Sequence, residues 1–295
     1  MERIIFEKPD INKLKKDFTL VDMHFHTDYS IDSFNNIKDS LEICKKLGIG
    51  LAITDHNEIK GAEKAIKNNK NMLIIPGMEI TSIEGIHTIF YFYNIEEATL
   101  FYNKVIKKNK IKDFFVWINM RFDELITSAK DFNCVVCIPH PFATGWTGLS
   151  NNIKIDKKTL KKIDIIEIIN SYNSRKSNLL AVEWANKTNK AISGGSDGHF
   201  LNALGTTLTC NESNDLDNFM KLIIKNKSKV VGIEDGLYKR ITNTVKKEYK
   251  VIKNTDKNLK MSHLIHEIKS LRNIRMKDCF GNKRINFKSP GFFSH

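Results

Sequence analysis

Six of the nine histidines in this 295-residue chain lie in short segments that read as the ends of β-strands, with carboxylates close by. These histidines are His24, His26, His56, His87, His140 and His199. Clustered imidazole and carboxylate groups can hold several divalent metals, which make water a nucleophile at neutral pH. Nitrogen and hard oxygen ligands without a thiolate suit Mn, Fe or Zn better than Cu(I) or an iron–sulfur cluster. The sequence therefore predicts a multi-metal site.

The first ligand pair is His24 and His26, which follow an apolar run at residues 20–23. Residues two apart in a strand point to the same side, so both imidazoles can reach one metal. A pair of surface histidines would not explain the apolar run before them. We expect Asp22, within that run, to hold a ring N–H of one of them.

Two further strand ends carry candidate ligands. His56 stands in a Thr-Asp-His-Asn segment after the apolar residues 51–53. Its neighbours Asp55 and Asn57 are equally consistent with turn formation alone. Glu79 ends another apolar strand, where a carboxylate is unusual unless it is paired or metal-bound.

Three more segments complete the pattern. His140 lies between two prolines that would restrict its backbone. Asp197 and His199 follow a Gly-Gly-Ser segment, and the glycines allow the chain to turn into a site. His87 opens a strand and, taken alone, is as consistent with a satisfied core histidine as with a ligand.

Short apolar runs alternate with amphipathic stretches along the chain. Strands are predicted at residues 19–24, 50–54, 72–79, 87–93, 134–139, 164–169, 190–193, 205–209 and 229–232. Helices are predicted at 37–47 and 174–188, and two helices within 96–130. This alternation indicates an α/β fold with a parallel sheet or barrel, which brings the carboxyl ends of the strands to one edge.

Composition restricts the class of protein. The apolar content of 41% is ordinary for a globular core. The chain contains no run of 18 apolar residues, so no membrane span is predicted. The first residues lack the apolar segment of a secretory signal. The five cysteines follow no disulfide framework, which predicts a reducing, cytoplasmic setting. Cys134 and Cys137 are expected in a buried strand rather than at a zinc site.

The positive charge is concentrated at the C-terminal end. Residues 241–295 hold 13 of the 47 Lys and Arg and 4 of the 34 Asp and Glu, so they carry +9 of the net +13. We therefore predict a catalytic domain at 1–240 and a basic, partly helical extension at 241–295, with a helix within 244–275 and a loosely ordered end. The extension could contact nucleic acid or be simply solvated. The catalytic residues and most of the net positive charge would then lie in different parts of the chain.

The order of the motifs resembles that of the polymerase-and-histidinol-phosphatase (PHP) superfamily. The motifs are HxH, TDHN, a strand-terminal Glu with a downstream His, PHPF, IEIIN and GGSDGH, within residues 19–235. The resemblance implies a distorted (β/α)7 TIM-like barrel with two or three divalent ions at the carboxyl ends of its strands. It also implies phosphoester hydrolysis.

The resemblance assigns the metal ligands residue by residue. They are His24, His26, Asp32, His56, Glu79, His87, His140, Asp197 and His199. In the first motif Asp32 is favoured over Asp28, because residues 29–33 fit a Tyr-Ser-x-Asp-Ser form found in some members. In the last motif Gly198 stands where Ala is more usual.

These features predict a metal-dependent phosphoesterase in which a hydroxide bridging two ions attacks phosphorus. Asp197, His56 and His199 are the predicted catalytic residues, the two histidines as acid or base if the metals leave them free. Arg175 and Lys176 either bind substrate phosphate or form an exposed helix start.

The predicted substrates are a small phosphomonoester, a nucleotide or the 5′ end of a short RNA, with the basic extension favouring the last two. Two alternatives stay open. The same metals can hydrolyse a non-phosphate ester or amide, and a PHP-like domain can serve as a non-catalytic module that binds nucleic acid or protein.

Overall fold

The structure is a computed structural model that describes residues 3–69, 71–111, 114–143, 148–149 and 155–254. Its strands are β1 (Ile4–Ile5), β2 (Thr19–Phe25), β3 (Gly50–Ile53), β4 (Ile74–Thr81), β5 (His87–Phe92), β6 (Lys110–Ile111), β7 (Phe114–Ile118), β8 (Cys134–Ile138), β9 (Ile165–Asn170), β10 (Ala191–Gly195), β11 (Thr207–Asn211) and β12 (Lys229–Gly232). Its α-helices are α1 (Ile11–Leu14), α2 (Ile37–Leu47), α3 (Lys60–Asn68), α4 (Ile95–Phe101), α5 (Lys107–Asn109), α6 (Phe122–Ser128), α7 (Lys157–Lys161), α8 (Arg175–Thr188), α9 (Leu216–Ile224) and α10 (Leu237–Asn254).

Ten strands form one curled sheet in the order β1-β12-β11-β2-β3-β4-β5-β8-β9-β10. The curl brings the end strand β10 back against β11, the third strand from the other end of the sheet, where the Gly194 amide donates to Thr209 Oγ1 over 2.9 Å. Just past β10 the Asp197 amide donates to the His24 carbonyl over 2.8 Å, and the His26 amide donates to the Gly198 carbonyl over 3.1 Å. We call this junction the barrel seam. The predicted TIM-like α/β barrel is confirmed.

The direction of the strands explains how His87 reaches the site. β2, β3 and β4 pair in parallel, as do β8, β9 and β10. Between these two groups β5 is antiparallel to both its neighbours. Its first residue, His87, therefore pairs with Thr81 at the carboxyl end of β4. The reversal of β5 places a strand-opening residue at the same edge as the strand-terminal ligands.

Most of the predicted elements agree with the structure. α2 spans the predicted residues 37–47, begins after Asn36, whose side chain caps the Lys38 amide, and ends at Gly48 with a φ of 72°. A left-handed residue after a helix is most easily supplied by glycine. α8 begins after Ser174, which caps the Ser177 amide, and Cys137 is buried in β8, as expected of a strand cysteine.

Two predictions differ from the structure. The segment 96–130 holds the predicted helices, but the antiparallel hairpin β6–β7 separates them, and a π-helix at Tyr102–Ile106 extends α4. The helix predicted from residue 244 begins seven residues earlier, at Leu237, so α10 crosses the expected boundary at 240. The rest of the predicted extension lies outside the described residues. Among the described helices, none is both long and apolar enough to cross a bilayer.

Candidate metal centre

All nine predicted ligands meet at one end of the barrel. β2 supplies His24 and the following His26, and the next loop supplies Asp32. β4 and β5 supply Glu79 and His87, and the segments just after β3 and β8 supply His56 and His140. The loop after β10 supplies Asp197 and His199. We call these nine residues the ligand cluster. Eight of them are buried and His56 is nearly so, although each carries a polar group.

The ligand cluster divides into four overlapping groups whose ligand atoms lie within 4.8 Å of one another. The groups are His26, Asp32, His56 and His199; His24, His26 and Asp197; His24, Glu79 and His140; and His56, Glu79 and His87. Because members are shared, filling one group places its ion next to the neighbouring group. This arrangement supports more than one divalent ion.

Glu79 is the central member of the ligand cluster. Its Oε1 lies 2.7 Å from His87 Nδ1 and 3.0 Å from His140 Nε2. Its Oε2 lies 3.3 Å from each of three imidazole nitrogens, belonging to His24, His26 and His56. One carboxylate therefore faces five imidazoles with both of its oxygens.

Several ring nitrogens in the ligand cluster have the environment of a metal ligand. His199 Nε2 lies 2.8 Å from Asp32 Oδ2 and His56 Nδ1 lies 3.3 Å from Glu79 Oε2. Both nitrogens are buried, yet neither is aligned for a hydrogen bond within the described part of the chain. A buried polar atom left unpaired costs about 1–3 kcal/mol. A cation between each nitrogen and its carboxylate would satisfy both, so the residues present fit divalent ions.

The electrostatics of the ligand cluster favour cations. Burial raises the pKa of Asp32, Glu79 and Asp197, but the surrounding imidazoles outweigh burial and hold the pKa of each carboxyl well below its usual value. Burial lowers the pKa of His87 and His199 to about 4. Burial also lowers the pKa of His24 and His26, but the neighbouring carboxylates outweigh it, raising that of His26 to about 9 and that of His24 well above its usual value. At neutral pH the site therefore presents ionised carboxylates and neutral His87 and His199, whereas a metal would have to displace a proton from His24 and from His26.

Two members of the ligand cluster adopt a backbone conformation that non-glycine residues rarely use. φ is 29° at His140 and 51° at Asp197. Hydrogen bonds hold both residues there: the His140 amide donates to Glu167 Oε2 over 2.8 Å, and the Asp197 amide donates to the His24 carbonyl over 2.8 Å. Each residue held in such a conformation destabilises the folded state by about 1–3 kcal/mol, and residues of this kind are concentrated at functional sites. The strain supports a functional role for both positions.

Glu167 in β9 supports two members of the ligand cluster and was not singled out from the sequence. Its Oε1 accepts from His24 Nδ1 over 3.0 Å, and its Oε2 accepts from the His140 amide and from Asn170 Nδ2 over 2.9 Å. It orients the His24 ring, the role expected of Asp22. The structure corrects that expectation, because Asp22 accepts backbone amides instead, including that of Ser196 over 2.8 Å. The signal for Glu167 was a lone carboxylate inside the apolar run of β9.

The two candidate carboxylates of the first motif differ in position. Asp32 is buried, and its Oδ2 lies 2.8 Å from His199 Nε2 and 3.5 Å from His56 Nε2. Asp28 is exposed and accepts a hydrogen bond from Asn36 Nδ2 over 3.3 Å. The structure brings Asp32 into the ligand cluster and leaves Asp28 at the surface.

The predicted phosphate-binding residues Arg175 and Lys176 open helix α8. The Arg175 Nε lies 2.6 Å from Glu234 Oε1, and its guanidinium lies 4.5 Å from the centroid of the Phe6 ring. Lys176 is exposed. Among the contacts of the described residues, neither side chain joins the ligand cluster, so their role in substrate binding stays a prediction.

A lysine that the sequence placed in the separate basic extension reaches the site. Lys247 on α10 puts its Nζ 3.3 Å from Asp32 Oδ2. The expectation that charge and chemistry occupy different parts of the chain is therefore wrong at this position. Sequence reasoning missed Lys247 because nothing in its local pattern distinguishes it from the other lysines of α10.

Gly198 has a steric reason to be glycine in this chain. It forms a bridge with Phe25, and a Cβ at Gly198 would lie 2.7 Å and 2.8 Å from two carbons of the Phe25 ring.

We expect Gly198→Ala to lower the free energy of unfolding by about 1–3 kcal/mol, because overpacking forces a shift in the backbone. Urea unfolding of the two proteins measures the difference. Gly236→Ala is the control, since a Cβ there meets nothing within 4 Å. Equal effects of the two substitutions would contradict the steric explanation.

Comparison with known proteins identifies the family. The family model of the PHP domain matches residues 22–266. An uncharacterised protein of Methanocaldococcus jannaschii is 30% identical over 189 residues, which cover 63% of this chain and 67% of that protein. The chain belongs to the PHP domain family, and the predicted class of enzyme, a hydrolase, is confirmed.

Solved structures of low sequence identity share the fold. An Endonuclease Q, solved with a 27-mer duplex bearing an abasic lesion, is 16% identical with a TM-score of 0.60, over 81% of this chain and 73% of that chain. A two-domain protein of Bacteroides vulgatus, described as containing a predicted PHP-like metal-dependent phosphoesterase, is 15% identical with a TM-score of 0.56, over 84% and 74% of the two chains.

Proposed function

We propose that this protein hydrolyses a phosphate ester of a nucleotide or of the 5′ end of a short RNA, with divalent ions held by the ligand cluster. The observation that carries the proposal is the convergence of nine ligand-type side chains, in four overlapping groups, at the carboxyl-end edge of one barrel. Adjacent divalent ions are suited to phosphoryl chemistry, because they lower the pKa of bound water and neutralise charge on the phosphoryl oxygens.

The protein's own residues fix the geometry in which those ions would be held. His199 Nδ1 lies 2.8 Å from the Asp197 carbonyl oxygen, which can only accept, so Nδ1 carries the proton and Nε2 keeps its lone pair towards Asp32. Glu167 fixes the His24 ring in the same way through Nδ1. We therefore assign His199 as a ligand rather than as an acid, because its only proton is already donated.

His56 is the remaining candidate for an acid or base. Its two ring nitrogens face different carboxylates, with Nε2 3.5 Å from Asp32 Oδ2 and Nδ1 3.3 Å from Glu79 Oε2. As a whole residue it is partly exposed, whereas the other eight members of the ligand cluster are buried. If one nitrogen is a ligand, the other can exchange a proton with the leaving group.

The preference for nucleotides and RNA is supported by charge. Three lysines of α10, at positions 246, 247 and 250, lie on a helix that reaches the ligand cluster through Asp32. Phosphodiester and nucleotide substrates carry several negative charges, which such residues attract. The Endonuclease Q with the same fold was solved with a DNA substrate at its active site, which is consistent with a nucleic-acid substrate here.

The test is a hydrolysis screen of the purified protein with added Mn²⁺. We expect turnover of nucleotides or 5′-phosphorylated RNA, loss of turnover with a chelator, and its return when Mn²⁺ is added back. Sugar phosphates, carboxyl esters and amides belong in the same screen. Turnover of carboxyl esters or amides alone would overturn the phosphoesterase assignment. A folded, ion-loaded protein that turns over none of these compounds would indicate a binding module.

A further inference from the structure

Helix α10 packs on the barrel in an unusual orientation. Five of its apolar residues face solvent, whereas Val251 near its end is buried. The exposed fraction lies between 55% and 82% for each of the five: Leu237, Tyr238, Ile241, Val245 and Tyr249. The residues turned towards the barrel include the buried Asn243 and the partly buried Lys247 and Lys250. A helix that packs only for burial places its apolar stripe inwards. The polar inward face of α10 therefore needs another explanation.

Lys247 is the residue of this inward face that reaches furthest into the site. Only 16% of its side chain is exposed, and its Nζ lies 3.3 Å from Asp32 Oδ2. The ammonium also lies 5.0 Å from the centroid of the Tyr172 ring. Tyr172 in turn bonds back to α10, through the Thr244 hydroxyl and the Arg240 carbonyl, and its ring lies 6.3 Å from the His199 ring. The barrel thus holds Lys247 beside two members of the ligand cluster.

Two neighbouring lysines attach the same helix to the rim of the site. Lys250 donates to the Ser33 carbonyl and lies 4.9 Å from the centroid of the Phe34 ring. Lys246 lies 5.6 Å from the centroid of the Phe200 ring, which stacks on Phe34 at 5.1 Å. The rim residues follow directly after Asp32 and His199, so α10 is anchored next to both ligands.

The position of Lys247 is electrostatically unfavourable once divalent ions occupy the ligand cluster. Asp32 is the carboxylate in direct ion-pair contact with Lys247, and it is also a proposed metal ligand. Its single negative charge cannot neutralise a divalent ion and an ammonium together. Repulsion between like charges at such distances is strong where water is largely excluded. An anion that contacts both the ions and Lys247 would remove the imbalance.

We propose that Lys247 is a substrate-binding residue whose ammonium binds an oxygen of the phosphoryl group that is hydrolysed, and that the inward face of α10 forms one wall of the substrate site. This inference rests on the proposed function. Lys247 suits the role because its ammonium has three donors, and among the described ion pairs it makes one, with Asp32. The inverted orientation of α10 then follows from the need to present lysines inwards.

The test compares Lys247→Met with Lys253→Ala in the full-length, Mn²⁺-loaded protein. Met keeps most of the length of the side chain and removes the charge, while Lys253 is an exposed lysine of the same helix. Titration calorimetry with inorganic phosphate should show a dissociation constant about tenfold to a hundredfold higher for Lys247→Met, the effect of losing a charged hydrogen bond. Lys253→Ala should bind phosphate as the unmodified protein does. KM for the substrate found in the screen should rise by a similar factor in Lys247→Met alone.

The ion content of the same samples, measured by mass spectrometry, distinguishes two roles of Lys247. The lysine either binds the substrate or keeps Asp32 in position to hold the ions. Equal ion content with weakened phosphate binding is the expected result. Unchanged phosphate affinity in Lys247→Met, or loss of ions that accounts for the weakened binding, would overturn the inference. If Lys247→Met does not fold, Lys247→Gln takes its place under the same criteria. The protein could bind phosphate through Lys247 and yet show no phosphoesterase turnover. That result would refute the proposed function but would still support an anion-binding site at Lys247.

Discussion

Glu79→Gln is expected to reduce phosphoester hydrolysis by at least about 1,000-fold, which corresponds to about 4 kcal/mol of transition-state stabilisation. The carboxylate belongs to two of the four ligand groups and faces five imidazoles with its two oxygens. Gln preserves the volume but removes the charge, and its amide NH2 cannot act as a ligand. Both groups lose their only carboxylate, so we also expect the loss of at least one ion per chain.

The measurement for Glu79→Gln is turnover together with ion content after dialysis against Mn²⁺. Glu42→Gln, an exposed position on α2, makes the same change of charge away from the site and should behave as the unmodified protein does. If the Glu79 variant kept its full ion content and its turnover, the central role assigned to this carboxylate would be wrong.

Asp197→Asn should reduce hydrolysis by at least about a hundredfold while leaving the fold intact. Asp197 Oδ1 lies 3.2 Å from His26 Nε2 and 3.5 Å from His24 Nε2, so it completes the group at the end of β2. A neutral amide is a weaker ligand for a hard cation than a carboxylate. The left-handed backbone at Asp197 is one that Asn adopts readily, so the loop should keep its conformation.

Turnover, ion content and circular dichroism of the metal-free protein together test the Asp197 prediction. Asp28→Asn is the matched control, because Asp28 is exposed and lies outside the ligand cluster. We expect near-native secondary structure in both variants and loss of turnover in Asp197→Asn alone. Undiminished turnover in Asp197→Asn would remove the metal-dependent mechanism.

The sequence predicted the parts of the structure whose signals are local. Nine of the strands were visible as apolar runs bounded by turn residues, and most of the predicted ligand positions lie at or just beyond an end of such a run. Asp32 was assigned through the resemblance to the family instead. The barrel geometry then brings these positions to one edge, because the carboxyl ends of parallel strands meet there. His87 was the least secure of them from the sequence alone, since its place at this edge depends on the antiparallel direction of β5.

The parts that the sequence did not reveal depend on contacts between distant segments. Lys247 and Asp32 are separated by 215 positions in the chain, and no periodic pattern links them. The apolar stripe of α10 points to solvent, so the usual inference that the apolar face packs inwards gives the wrong orientation for its lysines. Arg175 likewise forms its salt bridge with a residue far away in the sequence, Glu234, and this contact is apparent only from the fold.

The barrel seam couples the occupancy of the site to the integrity of the whole domain. Its two backbone hydrogen bonds join His24 to Asp197 and His26 to Gly198, so the residues that close the barrel are members of the ligand cluster or their immediate neighbours. An ion shared by the side chains of His24, His26 and Asp197 would form a second link between the end of β2 and the loop after β10. The free energy of ion binding then adds to the free energy of unfolding, and the melting temperature should rise with free Mn²⁺ in the absence of any substrate. In a cell, the resistance of this protein to proteolysis would consequently follow the supply of metal.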